Sequence, residues 1–392
     1  MAEINRFLEF LVNHGGSDLM MMSGSRSVVR VHGELKAISF SNANSDIMTD
    51  DILRPLVYEI LSNRQIKNLE EEGELDLAYE LPGVSRFRSN VYFQSHGIAI
   101  AFRAIPSKIR TLEELGFPEG VKKLASIQRG FVLVCGPSGC GKTTTLAAMV
   151  DYVNKTRHCH IITIEEPIEY LHSNINSIIT QRQVGPHTDS FSSALRVAVR
   201  QDPDVIMVGE MRDLETIETA LTAAETGHLV MSTLHTLDAA ETINRIISVF
   251  PPYHQRQVRM QLSNVIKGVI SQRLVPRADG KGRVPAVEVM ISTGRVRECI
   301  DEKEKTKQLH EAIAQGVTAY GMQTFDQSLM SLYTRKLITY EEALRQSSNP
   351  DDFALKISGI SSTSDLSWDQ FEHKDDTEEG KEKIPIDKFG DA

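Results

Sequence analysis

The 392-residue chain has little cysteine, one tryptophan and no long apolar run. Its four cysteines (Cys135, Cys140, Cys159, Cys299) form no Cys-x-x-Cys pair. That argues against a zinc ribbon or a disulfide framework and fits a reducing compartment. No stretch of about 18 apolar residues occurs, so no integral membrane helix is expected. The start, Met1 to Arg6, lacks the basic and apolar regions of a signal peptide. Basic residues are not in excess: 43 Lys and Arg stand against 53 Asp and Glu, a net charge of −10. A global nucleic-acid footprint is therefore absent, and no nucleic-acid partner is expected. No internal repeat is visible. What is present is 41% hydrophobic residues, enough for real cores. The length suits two or three domains of roughly 100–200 residues each.

The acidic excess is uneven. Residues 365–392 hold ten acidic and four basic side chains. With few apolar residues to bury, 361–392 reads as an acidic, disordered tail. At the other end, Ile4, Phe7, Leu8, Phe10 and Leu11 have helical spacing, stopped by His14-Gly15-Gly16. Strand-like runs follow at Leu19–Met22 and Ser27–Val31, with a hairpin turn over 31–35. Apolar spacing predicts one helix over 51–72, then strands at Arg86–Phe93 and Ile98–Ile105. Residues 1–105 thus read as a small α+β domain, and 106–118 as a linker.

From 119 the pattern changes. Short apolar runs at Phe131–Cys135, His160–Ile164, Val205–Val208 and Leu229–Ser232 are separated by helix-length segments. Strands buried on both faces of a parallel sheet look like this, so 119–360 reads as an α/β domain. Beyond about 295 it is mostly helical, at 309–314, 325–332 and 340–346.

Gly136-Pro137-Ser138-Gly139-Cys140-Gly141-Lys142-Thr143 matches G-x-x-x-x-G-K-[ST] at every fixed position, with Thr144 next. It follows one of the predicted strands and precedes a helix. Glycines let successive N–H groups turn toward an anion, and the helix N-terminus adds partial positive charge. Lys142 can reach the β- and γ-phosphates, and the Thr143 hydroxyl can bind Mg²⁺, which makes ATP and Mg²⁺ the expected ligands. Acidic partners are needed on neighbouring strands. One group is Glu165, Glu166 and Glu169, after the 160–164 run. The other is Glu210, after Val208-Gly209. Gly209 stands where an Asp is usual, so Glu210 is expected to reach the metal through water. His228 and His235 bracket the 229–232 run and are candidate sensors of the γ-phosphate. They are poor metal ligands, because no Cys or third His lies at ligand spacing.

These boxes, in this order, resemble the secretion-type hexameric ATPases, and within them the type IV pilus retraction motors. The likeness runs from about residue 5 to 357. It rests on the Walker A loop, an Asp box (Ile162 to Glu169), an atypical Walker B (Asp202 to Asp213), a His box (Thr226 to Thr236) and Gly321 to Gln327. The resemblance implies a PAS-like N-terminal domain joined to a RecA-like ATPase domain, six copies forming a ring. It also implies hydrolysis of ATP held between the two domains. Glu169 would polarise water, with Glu165 second, and His235 would face the γ-phosphate. Arg88 and Arg103, from the N-terminal domain, would complete the site. It further implies a motor at the cytoplasmic face of the inner membrane that turns a pilus platform protein.

The chain departs from the family pattern at several places. Glu166 replaces the Asp of Glu-Asp-Pro, Leu237 an Asn, and Cys140 a Ser. Only about half of a typical helix is matched at Arg295–Glu302. Together with the tail, this points to an accessory or divergent paralogue rather than the principal motor. Three other readings stay open: a pilus assembly or type II secretion ATPase, a DNA-handling RecA-like motor, and an ATP-binding scaffold that works with a paralogous motor.

Overall fold

The computed structural model describes residues 3–31, 33–38, 47–105 and 108–358. The predicted tail, 361–392, lies outside the described residues, as do His32 and the first two residues of the predicted linker.

Helix α1 (Asn5–Asn13) buries Phe7, Leu8 and Leu11 at the predicted spacing. Six strands of one antiparallel sheet follow: β1 (Asp18–Met22), β2 (Val28–Val31), β3 (Glu34–Ala37), β4 (Glu74–Leu81), β5 (Ser85–Gln94) and β6 (Gly97–Ile105), besides a short pair formed by Ser25–Arg26 and Ile47–Met48. They pair in the order β3-β2-β1-β6-β5-β4. Val31 faces Glu34, which closes the predicted hairpin. The single helix expected over 51–72 is instead two, α2 (Asp50–Glu59) and α3 (Asn63–Glu72). Ser62 separates them: its side chain accepts from the Gln65 N–H, and the Gln65 side chain accepts from the Ser62 N–H. That reciprocal cap starts a new helix although apolar residues continue through Ile60 and Leu61. Phe87, Phe102, Leu19 and Leu53 share the core between sheet and helices.

The second half is built on seven strands: β7 (Gly130–Cys135), β8 (His160–Glu165), β9 (Ile178–Gln183), β10 (Val205–Val208), β11 (Leu229–Leu234), β12 (Ile266–Pro276) and β13 (Arg283–Ile291). Their order is β9-β8-β10-β11-β7-β12-β13. All pairs are parallel except β12 with β13. Every residue of β7, β10 and β11 is buried. Alternation along β7 sends Phe131, Leu133 and Cys135 into one core and Val132 and Val134 into another. The second core is closed by α4 (Glu119–Ser126) and α5 (Lys142–Thr156). The first is closed by α6 (Phe191–Ala198), α7 (Leu214–Glu225), α8 (Ala239–Ser248), α9 (Gln255–Val265), α10 (Gly294–Asp301) and α11 (Leu309–Gln315). After the single turn α12 (Val317–Tyr320), helices α13 (Phe325–Thr334), α14 (Tyr340–Gln346) and α15 (Pro350–Ile357) form a separate cluster. They pack on Val275, Val284 and Ala286 of the β12–β13 hairpin.

Register decides where the site lies. Cys135 is level with Leu234 on one side and Ser271 on the other, and Ser232, Val208 and Ile164 are level with one another. The C-terminal ends of these strands therefore share one edge, where open α/β sheets bind ligands. We predict that Leu133→Ala, fully buried between helices and sheet, costs about 2–5 kcal/mol. Exposed Leu35→Ala should change stability by less than about 0.5 kcal/mol. Denaturant midpoints of the two variants check this, and equal midpoints would contradict the core assignment.

Candidate active site

β7 ends at Cys135, and the chain turns through Gly136 (φ 145°), Gly139 (φ 75°) and Gly141 (φ 95°) before α5 begins at Lys142. Those positive φ angles are the reason for the glycines. The Lys142 ammonium donates to the carbonyls of Gly136 (2.9 Å) and Pro137 (3.1 Å). It also lies 3.5 Å from Nδ1 of His235, which follows β11 directly. Burial pulls the Lys142 pKa down. Burial and then the Lys142 charge pull His235 down, so a neutral imidazole faces the ammonium.

This loop lines a cavity of about 460 Å³, to which Ser138, Gly139, Gly141, Lys142, Thr143 and Thr144 contribute. Gly136, Pro137 and Cys140 do not line it. Cys140 is buried, and its carbonyl is turned toward β12, so the Cys-for-Ser exchange leaves the cavity wall unaltered.

The acids enter from β8 and β10. Glu165, 5% exposed, accepts from the Thr163 hydroxyl (2.7 Å) and from Gln181 of β9 (3.2 Å). Burial nevertheless pushes its pKa up to about 7. Burial also raises Glu169, while Arg88 and the Thr143 hydroxyl hold it back. Glu166 is raised by burial and then by the nearby Glu210 charge. Glu210 is ion-paired with Arg212, whose Nε lies 2.9 Å from its carboxylate, and lies 3.8 Å from His235 Nε2. Gly209 sits against β8, its N–H donating to the Ile164 carbonyl at 2.7 Å. A Cβ there would come 3.3 Å from that oxygen, a tight approach that a small backbone shift would relieve.

The far wall comes from the N-terminal sheet. Arg88 and Arg103 face each other across β5 and β6. Like charges so placed repel. Asp18 of β1 relieves one of them, accepting from Arg103 Nε at 2.8 Å, and Glu169 lies 3.9 Å from Arg88. Arg103 remains 70% exposed. Arg86, two residues before Arg88, donates to the Ile168 carbonyl at 3.0 Å and ties the two halves together.

The structure therefore brings Arg88, Arg103, Glu165, Glu169, Glu210 and His235 to the loop. It does not bring His228. That residue precedes β11 at the opposite edge, where its carbonyl accepts from Gly130 N–H and its Nδ1 pairs with the Ala223 carbonyl. A strand of six residues is about 20 Å long, so His228 and His235 cannot meet one phosphate within a subunit. The sequence reading gave no role to Arg212, Tyr170, Gln181 or Glu288. The Tyr170 hydroxyl lies 3.0 Å from that of Thr144. Gln181 also donates to the Tyr170 carbonyl, which holds the acid loop against β9. Buried Glu288 accepts from the first N–H of α8 at 2.8 Å and so fixes the turn after His235. An edge strand rich in glutamine was the available signal for Gln181; nothing local marked Glu288.

A parallel sheet whose strands aim their C-terminal ends at one glycine-rich loop, with carboxylates on two strands beside it, is the scaffold of a P-loop ATPase, and this chain is one. It belongs to the type II/IV secretion system protein family, whose model matches residues 67–347. The chain is 46% identical over 351 residues to the type IV pilus retraction ATPase PilT of Pseudomonas aeruginosa, covering 90% of this chain and 100% of that protein. It is 40% identical to the type IV pilus ATPase PilU of the same organism, covering 91% of each. Among solved structures, the pilus retraction motor PilT with bound ADP superposes with a TM-score of 0.81 at 43% identity, covering 90% of this chain and 99% of that one.

The raised Glu165 pKa has a sign that can be checked. The folded form binds its proton up to about pH 7, the unfolded form only to 4.5. Its contribution to stability is thus fully present below pH 4.5 and is lost as pH rises through 7. Glu165→Gln, neutral throughout, should gain roughly 2 kcal/mol on the wild type between pH 5 and pH 8. Glu288 titrates in the same window and is common to both proteins. Urea midpoints at the two pH values test this; a constant gap would remove Glu165 as the titrating group.

Proposed function

We propose that this chain is the ATP-hydrolysing motor of type IV pilus retraction, the movement behind twitching motility. The observation that carries this reading is the composite cavity. Phosphate loop and acids come from one half of the chain and the arginine pair from the other, so turnover depends on how the halves are placed. The similarity to PilT over that protein's whole length supports retraction over assembly or secretion. The chain works as a ring of six at the cytoplasmic face of the inner membrane, alone or with a paralogous motor. No helix among the described residues is long and apolar enough to cross a membrane, so the ring would act on a membrane-embedded platform protein. In this reading 1–105 is the moving domain, 106–118 the connection and 119–360 the ATPase domain.

Backbone N–H groups of Gly139 and Gly141 and the Lys142 ammonium bind the phosphates. Thr143 and Glu210 offer hard oxygen donors that suit Mg²⁺, Glu210 through water. Among the described residues no group of three or more His, Cys, Asp or Glu could hold a metal alone; substrate phosphates would supply the remaining ligands. When bound, the cation would neutralise charge on the phosphates. Glu169 polarises the attacking water, and Glu165, buried behind it, orders the acid loop. His235, Arg88 and Arg103 meet the γ-phosphate as it leaves. Its departure removes the charge that draws the arginine wall toward the loop, and the N-terminal domain swings away.

ATP turnover of the purified chain, measured with its mass in solution, tests the reading. Lys142→Ala should cut turnover by on the order of 10³-fold without unfolding the protein. Turnover near wild type would sink the phosphate-loop assignment. Glu169→Gln should keep ATP binding and lose most turnover. If Glu169→Gln hydrolyses normally while Glu165→Gln does not, their roles exchange. Arg88→Ala and Arg103→Ala should each slow turnover, by up to about 10³-fold. Unchanged rates would make the arginine wall structural.

A further inference from the structure

We infer that Gln272 is a positioning residue of the phosphate loop, its amide clamping the loop to the first turn of the helix that follows. The inference rests on the ATPase reading above and extends it to a residue outside the recognised boxes. Gln272 lies on β12, one residue beyond Ser271, which is level with Cys135. It is 1% exposed. Its Nε2 donates to the Cys140 carbonyl at 2.6 Å, and its Oε1 accepts from the Thr145 hydroxyl at 2.8 Å. A carbonyl can only accept, so Cys140 fixes the direction of the amide, and Thr145 must then donate.

Both contacts are buried, where an unmet donor or acceptor is costly. They grip the chain on either side of Gly141 and Lys142, the residues that face the phosphates. The loop's own glycines are cut to fit this neighbour. A Cβ at Gly136 would come 2.4 Å from the Gln272 carbonyl oxygen, and one at Gly141 3.2 Å from its Nε2. Two motif glycines thus make room for residue 272 as well as supplying positive φ. The next residue, Arg273, donates to the Gln346 carbonyl of α14 at 2.9 Å and stacks on Phe325 of α13. The strand that holds the loop is therefore itself held by the C-terminal helices.

The test uses the full chain, with Mg-ADP binding followed by calorimetry and ATP turnover followed separately. Gln272→Glu keeps the volume and the acceptor but loses the donor; Gln272→Leu loses both. Each should weaken ADP binding about tenfold and lower kcat by up to about 10²-fold through misplacement of the loop. Thr145→Val, which exchanges the hydroxyl for a methyl and so also gives up its 3.2 Å contact with the Gly141 carbonyl, should show a smaller loss of both, and Thr145→Ser should restore them. Thermal midpoints are measured alongside. Should Gln272→Leu fail to fold, the Thr145 pair decides. A lowered midpoint with unchanged Kd and kcat would make Gln272 merely structural and overturn the inference. So would Thr145→Ser behaving like Thr145→Val. If the wild type itself fails to bind ADP, the ATPase reading falls; if it binds and all variants match it, only the clamp falls.

Discussion

The parallel register of five neighbouring strands underlies everything at the site. Because β8, β10, β11, β7 and β12 run the same way, the residues that follow β8, β10, β11 and β7 emerge at one edge. Gly136, Glu166, Gly209 and His235 are all such residues. The same constraint separates His235 from His228, which share a strand but leave it at opposite ends. Small hydroxyls keep the level: Ser232 donates to the Val208 carbonyl at 2.7 Å, and Thr233 to that of Gly209 at 2.6 Å. Glu210 therefore starts from a strand pinned to its neighbour rather than from a free loop.

Against this fixed edge stands a wall with its own charge pattern. Arg30, Asp18, Arg103 and Arg88 occupy successive strands of the N-terminal sheet in one paired row. One carboxylate among three guanidinium groups leaves positive charge in excess, and Arg88 and Arg103 line the cavity. Opposite them, Glu165, Glu166 and Glu169 are all pushed toward neutrality, first by burial. The two walls are unequal in how readily they hold charge: arginine keeps its proton, whereas buried carboxylates can regain theirs.

Much of this was legible in the sequence, for physical reasons. The phosphate loop is local: its chemistry needs consecutive residues, so it can be read directly. Buried parallel strands announce themselves as apolar runs, as at 131–135 and 229–232. What escaped was non-local or polar. β9 lies at the sheet edge and reads Ile-Ile-Thr-Gln-Arg-Gln, without an alternating apolar face. β12 is broken by an irregularity near Gly268. Neither strand shows a readable pattern, and they carry Gln181 and Gln272, whose partners lie 16 and 132 residues away. The helix break at Ser62 was present as a capping sequence but was masked by continuous apolar spacing. Arg88 and Arg103 came from family resemblance alone, since a strand arginine carries no local sign of its destination.

The Arg86 contact with the Ile168 carbonyl also has a mechanical side. It grips the N-terminal sheet near one side, on β5, and Arg88 lies only two residues away, about 7 Å along the strand. The opposite margin, β3, is four strands off, about 19 Å at ordinary sheet spacing. If the sheet pivots in its plane about Arg86, these two distances are the arms of a lever. A shift of about 1 Å at Arg88 would then become nearly 3 Å at β3. Leverage of that ratio would trade force for travel.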